Sequence, residues 1–170
     1  FMTGRPLPWP AACHAATGAV SGWPRTKTGR MIGADHLPQP KAPAMDYRLH
    51  ARRIDAHGSL ALAKAAEVTL DTDLAGRSDA MNPVELLLAA LAACMLKGIE
   101  RVTPMLKFQI DGVTVDLQAL RQDAPPRLTL MRYEIVVDSR ETDQRLDLLH
   151  RNVLKYGTIS NTLSAAVPLE

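Results

Sequence analysis

Aromatic side chains are scarce in this chain: two Phe, three Tyr and two Trp among 170 residues. Both tryptophans, Trp9 and Trp23, lie in the first quarter. The core of the remainder must therefore be aliphatic, built from Leu, Val, Ala, Ile and Met. Cysteine is nearly missing too. Two residues, Cys13 and Cys94, are too few for a disulfide scaffold, and this usage implies a reducing, cytoplasmic compartment. Neither sign of charge dominates: 20 Lys and Arg against 18 Asp and Glu leave +2, too little to argue for nucleic acid or an anionic membrane as partner. No apolar run reaches the roughly 18 residues that span a bilayer, and the N-terminus shows no secretory signal. No His, Cys and Asp group has metal-ligand spacing, and no GxGxxG, P-loop or HExxH motif occurs. What is left is an ordinary globular composition, 46% hydrophobic and 22% charged, at one domain's length.

Residues 1–44 differ from the rest. They hold seven of the twelve prolines, five Lys or Arg and a single acid, Asp35. No period of 2 or 3.6 is sustained there, which predicts a flexible basic extension. Regular patterning starts at Met45, a sensible natural start, so residues 45–170 form the expected domain.

Within it, residues 46–55 alternate loosely, with Tyr47, Leu49, Ala51 and Arg53 on one side, and predict a half-exposed strand. His57 and Gly58 predict a turn. Residues 59–71 place Leu60, Leu62, Ala66, Val68 and Leu70 at period 2 and predict a second strand, although the Ala-rich middle also admits a helix. Residues 72–80 are polar and predict a loop. Asn82 is a candidate helix cap, Pro83 suits the first turn, and Glu85 suits the positive end of the dipole. The helix is expected to run to about Val102, before Pro104 stops it. It is apolar nearly all round from Leu86 to Met95, which suits a protein interior or a subunit interface. Residues 106–120 alternate, with a phase break at Asp111–Gly112 that predicts a bulge. A turn near 123–127 and a strand over 128–137 complete a hairpin. Residues 140–156 carry Leu146, Leu149, Val153 and Leu154 at helical spacing, with Ser139 or Thr142 as cap and Gly157 as a left-handed C-terminal residue. Residues 158–167 predict a last short strand. This order argues for an α+β domain.

Two segments stand out. Asn82–Lys97 reads NPVELLLAALAACMLK, and Lys155–Leu163 reads KYGTISNTL. The pair resembles the two signature segments of the osmotically inducible protein C / organic hydroperoxide resistance family (OsmC/Ohr). In that family the first segment is Asn-Pro-Glu-Glu, then an Ala-rich helix with the reactive Cys eleven positions after the Pro. The second is Lys-Tyr-Cys-Pro-Ile/Val-Ser-Asn-Thr-Leu. Pro83 to Cys94 has the family spacing. The resemblance covers roughly residues 46–169. It implies an OsmC-like fold, with antiparallel sheets wrapped around a long central Cys-bearing helix, in an intertwined homodimer whose active sites lie at the subunit interface. It also implies thiol-dependent reduction of small hydroperoxides, organic ones especially, in oxidative or osmotic stress defence.

Residue by residue, the resemblance assigns Cys94 to the peroxide-attacking cysteine. Gly157 stands at the second-cysteine position. Val84 stands at the catalytic-Glu position, and Glu85 falls one place later. A branch of the family keeps NPVELL-type sequences. The family also uses an arginine from its N-terminal region, for which Arg53 and Arg77 are candidates.

A thiolate attacking a peroxide becomes a sulfenic acid, which requires an activated, accessible sulfur. Lys97 and Arg101 fall near the azimuth of Cys94 and are candidates for tuning its pKa. Gly157 cannot resolve a sulfenic acid, so no cofactor is expected beyond an external thiol or dithiol reductant; Cys13, on the extension, is a poorly placed alternative. Against this stands the plain reading that a lone Cys in an Ala/Leu helix is an inert core residue. The alternative function is a non-catalytic family member holding a small apolar ligand in a dimer-interface pocket lined by Leu87, Leu91 and Met95. His50, His57 and His150 form no metal pattern. Asp71 and Asp73 read as loop solvation, Arg52–Arg53 as a solvated edge, and Ser160, Asn161 and Thr162 as partners for backbone groups near Cys94.

Overall fold

The computed structural model describes residues 45–170. The expected extension over 1–44 lies outside the described residues. Asp46–Glu170 forms one compact unit, and its elements make an α+β domain with two antiparallel sheets and three helices.

The first sheet has the order β1 (His50–Arg53), β2 (Gly58–Ala63), β3 (Ala66–Asp71). The single strand expected over 59–71 is thus a hairpin, with Ala63 opposite Ala66. Lys64 makes the turn with φ +55°, the left-handed backbone that matches the twist of paired strands. The apolar alternation in the sequence runs on through the turn and conceals it, although the pairing of Leu60 with Thr69 and Leu62 with Glu67 sends Val68 and Leu70 to the opposite face of the sheet. The first strand is shorter than expected, and Tyr47 and Leu49 before it are exposed.

Helix α1 (Pro83–Leu106) opens on a capping box. Asn82 Oδ1 accepts from the Val84 and Glu85 N–H groups at 2.9 and 3.0 Å, and the Asn82 N–H donates to Glu85 Oε2 at 2.8 Å. Together these satisfy amides that a helix start leaves orphaned. The helix does not stop before Pro104 but includes it. Proline removes one N–H there, and a Schellman closure holds the final turn. Phe108 N–H donates to Thr103 O at 3.0 Å, Lys107 N–H to Pro104 O at 3.3 Å, and Lys107 takes φ +53°. The closure delivers Phe108 into the core, where it is 6% exposed.

The second sheet is the hairpin of β4 (Gly112–Asp123) and β5 (Pro126–Asp138), paired from Gly112↔Asp138 to Asp123↔Pro126. Its irregularity falls at Leu120/Arg121, not at Asp111–Gly112, where the strand simply begins. Val113, Val115, Leu117 and Ala119 of β4 and Met131, Tyr133, Ile135 and Val137 of β5 face the core. Helix α2 (Asp143–Tyr156) starts after Thr142 and buries Leu149 and Val153. It crosses α1 closely: a Cβ added to Gly98 would lie 3.1 Å from Val153 Cγ1.

The last strand expected over 158–167 is instead α3 (Thr158–Ser164). Ile159, Leu163 and Val167 recur every four residues, a helical spacing masked by β-branched residues. Beyond it, Leu169 bridges to Met131, and Tyr133 N–H donates to Glu170 O at 2.8 Å, so the C-terminal residues line the edge of β5. The core joins Leu91, Met95, Ile99 and Val102 of α1 with Phe108, Met131, Leu149, Val153 and Val167. Phe108 is the only buried aromatic residue among the described residues. No described helix is long and apolar enough to cross a membrane.

The capping box gives a test. Asn82→Ala should cost about 1 kcal/mol in urea unfolding. Thr142→Ala should cost distinctly less, because the Thr142 side chain makes no cap hydrogen bond.

Candidate functional site around Cys94

The buried stripe of α1 fixes where Cys94 points. Leu91, Met95, Gly98, Ile99 and Val102 are buried, while Ala90, Ala93, Lys97, Glu100 and Arg101 are exposed. Cys94 lies on the border of the two faces, unpaired and half-buried. Its sulfur is thus anchored on a rigid helix without being sealed in the core.

Lys97 is exposed one turn further on. Arg101 lies with its guanidinium 5.3 Å from the centre of the Tyr156 ring, and Lys155 Nζ is equally close to that ring. Tyr156 thereby gathers positive charge at the end of α2. Among the described residues, neither Lys97 nor Arg101 forms a hydrogen bond or ion pair with Cys94.

Val84 is an ordinary second residue of the helix, its N–H held by Asn82. Glu85 does not stand in for an acid at position 84, because its carboxylate closes the capping box. Leu91 and Met95 are fully buried core residues, and Leu87 packs against that core. A cavity of about 300 Å³ has other walls, drawn from α1, β5 and α2.

Gly157 joins α2 to α3 with φ −79° and ψ 107°, so the left-handed conformation expected there is not adopted. Space, not backbone freedom, favours glycine. A Cβ at 157 would lie 2.8 Å from Ser160 Oγ and 3.1 Å from Val153 O. Ser160 is 3% exposed and its hydroxyl has no hydrogen-bond partner among the described residues. The expectation that Ser160 satisfies backbone groups is therefore corrected. Asn161 and Thr162 do bond backbone, donating to Lys155 O at 3.3 Å and Thr158 O at 2.8 Å.

Arg52 and Arg53 are exposed on β1. Arg77 belongs to the loop leading into α1, where its guanidinium forks onto Asp79 at 2.8 and 2.7 Å. That bond, ahead of other causes, raises the Arg77 pKa and lowers that of Asp79. Asp71 is buried and accepts from the Asp73 and Arg77 N–H groups at 3.0 and 2.9 Å. Asp73 holds His57 Nδ1 at 2.6 Å, and its carboxyl is lowered chiefly by the Ala75 N–H. These acids are loop fasteners rather than solvated charges. Among the described residues no group of His, Cys, Asp and Glu is arranged to hold a metal ion. His150 bonds Tyr133 across the α2–β5 interface. No local pattern links these two residues in the sequence.

A long capped helix bearing one unpaired cysteine, packed on an antiparallel hairpin and two shorter helices, makes an α+β domain with that cysteine at the edge of its core. The sequence profile of the family described as OsmC-like protein matches residues 76–170, more than half of the chain. The chain belongs to that family. Solved structures share the fold. An OsmC-like protein from Mycoplasma pneumoniae aligns at TM-score 0.67 and 19% identity, over 74% of this chain and 95% of its own. An organic hydroperoxide resistance protein OsmC from Legionella pneumophila aligns at 0.58 and 17%, over 76% and 96%. The organic hydroperoxide resistance protein OhrB of Bacillus subtilis aligns at 0.55 and 15%, over 74% and 96%. No curated protein sequence matches the chain.

The crowding at Gly157 is open to measurement. Gly157→Ala should destabilise the domain by about 1–3 kcal/mol. Ser160→Ala, which removes a buried hydroxyl without a partner, should be neutral or stabilising. The double variant should recover part of the loss, read from urea midpoints.

Proposed function

We propose that this protein is a one-cysteine, thiol-dependent reductase of small organic hydroperoxides, acting as a homodimer in oxidative stress defence. The observation that carries the reading is Cys94 itself. It is unpaired and half-buried on α1, eleven residues after the Pro83 that opens a capped helix. Likeness to two organic hydroperoxide resistance proteins supports the choice of substrate.

The Cys94 thiolate attacks one peroxide oxygen and the O–O bond breaks. Sulfur is oxidised to sulfenic acid, and the departing alkoxide takes a proton to become the alcohol. An external thiol then attacks the sulfenic sulfur, releasing water and leaving a mixed disulfide. A second thiol equivalent frees Cys94 as the external disulfide forms. The external thiol is required because position 157 offers no sulfur. Lys97 and Arg101 are the basic residues that follow Cys94 on α1. Two features support the homodimer. The outward face of α1 exposes Ala90, Ala93 and Leu96, an apolar surface of the kind a second α1 covers. Val68 of the first sheet and Tyr47, Leu49 and Ile54 flanking its first strand are exposed as well.

Consumption of cumene hydroperoxide with dithiothreitol tests the reading. Cys94→Ser should lose turnover by about two orders of magnitude or more, and a sulfenic-acid probe should label wild type alone. Absence of both turnover and label in the wild type would leave the non-catalytic, ligand-binding reading.

A further inference from the structure

A cavity of about 300 Å³ lies between α2 and the inner face of β5. Its floor is Ile99, Leu149 and Val153, each no more than 2% exposed. Ile135 and Val137 of β5 make one wall. The mouth is polar: Asp147 and His150, three residues apart on α2, are exposed there beside half-buried Tyr133. Tyr133 Oη and His150 Nε2 lie 2.7 Å apart, with ring centroids at 5.7 Å. Cys94 does not line this cavity.

The chemistry of the mouth selects a ligand. Whichever of Tyr133 and His150 donates in their bond, the pair keeps a capacity to bond one more group. An ionised Asp147 only accepts. A single uncharged group that both donates and accepts answers all three, and the hydroxyl is the smallest such group. A carboxylate would meet the like charge of Asp147. Burial pushes the Tyr133 phenol pKa up, which keeps its proton in place. The volume equals the share of about ten waters, enough for a chain of about eight to ten heavy atoms.

We propose that this cavity binds small neutral aliphatic alcohols, with the chain against the half-buried Ile135, Val137 and Leu146 and the hydroxyl at Tyr133, His150 and Asp147. The site is separate from Cys94 and does not depend on its chemistry.

Methyl-labelled full-length protein, titrated with octanol and followed by NMR, provides the test. Saturable shifts are expected at Ile99, Ile135 and Leu149. Heptyl methyl ether, which cannot donate, and octanoate should each bind about tenfold more weakly. Tyr133→Phe should weaken octanol by about the same factor, and Asp147→Asn should bring octanoate within about threefold of octanol. Cys94→Ser should bind octanol as wild type does, which separates this site from the peroxidase reading. The absence of saturable shifts at these residues in the wild type overturns the proposal. So does equal binding of alcohol and ether, which would mark an unselective apolar groove; that comparison needs no variant to fold.

Discussion

The burial of one stripe of α1 sets the rotation of that helix, and most of the domain takes its position from it. Leu91, Met95, Ile99 and Val102 follow helical spacing and are each at most 2% exposed. Removing such a side chain from water contributes roughly 1.5–3 kcal/mol, an upper figure because an unfolded chain already hides part of its apolar surface. Four of them in register leave α1 one way to sit on the hairpin. Gly98 within the stripe lets α2 approach until Val153 touches the helix. Cys94, just off the stripe, is consequently held at the edge of the core. The same rotation turns Ala90, Ala93 and Leu96 outward.

Two of the positions where the chain departs from the family signature, Val84 and Gly157, are different in kind. At Val84 the change takes nothing from the local structure, because the adjacent Glu85 completes the helix cap with Asn82. A carboxylate is present but committed to backbone amides. At Gly157 the change is built into the packing. The space a Cβ would need is occupied by Ser160 Oγ and Val153 O, and the Ser160 hydroxyl stays buried without a partner. A second sulfur would therefore have to displace a neighbour, not merely fill a gap.

Elements with one strong local signal were readable from the sequence. Asn82, Pro83 and Glu85 mark the start of α1 through a contact spanning three residues. The β4–β5 hairpin shows itself by two alternating runs around Pro125 and Pro126. The misreadings share a cause, since in each the local signal is compatible with two structures. Period 2 from Leu60 to Leu70 reads as one strand, yet Ala63 pairs with Ala66, and the turn puts Val68 and Leu70 on the face opposite Leu60 and Leu62. Pro104 ends a helix unless a closure such as that of Thr103 and Phe108 holds another turn. Residues 158–167 are β-branched enough for a strand, yet Ile159 and Leu163 pack best on a helix.

The sequence by itself determined the long helix, its cap, the placement of Cys94 eleven residues into it and the hairpin that it packs on. Each rests on contacts between near neighbours, which a linear pattern records. Only the tertiary structure decided that Gly157 is constrained by crowding rather than by φ, and that Asp71 is buried as a loop fastener. It alone brought Tyr133 and His150 to 2.7 Å. Those facts depend on which surfaces meet when α1, α2, α3 and the sheet close on one another. Side chains distant in the chain become neighbours there through packing, and no spacing along the sequence encodes that.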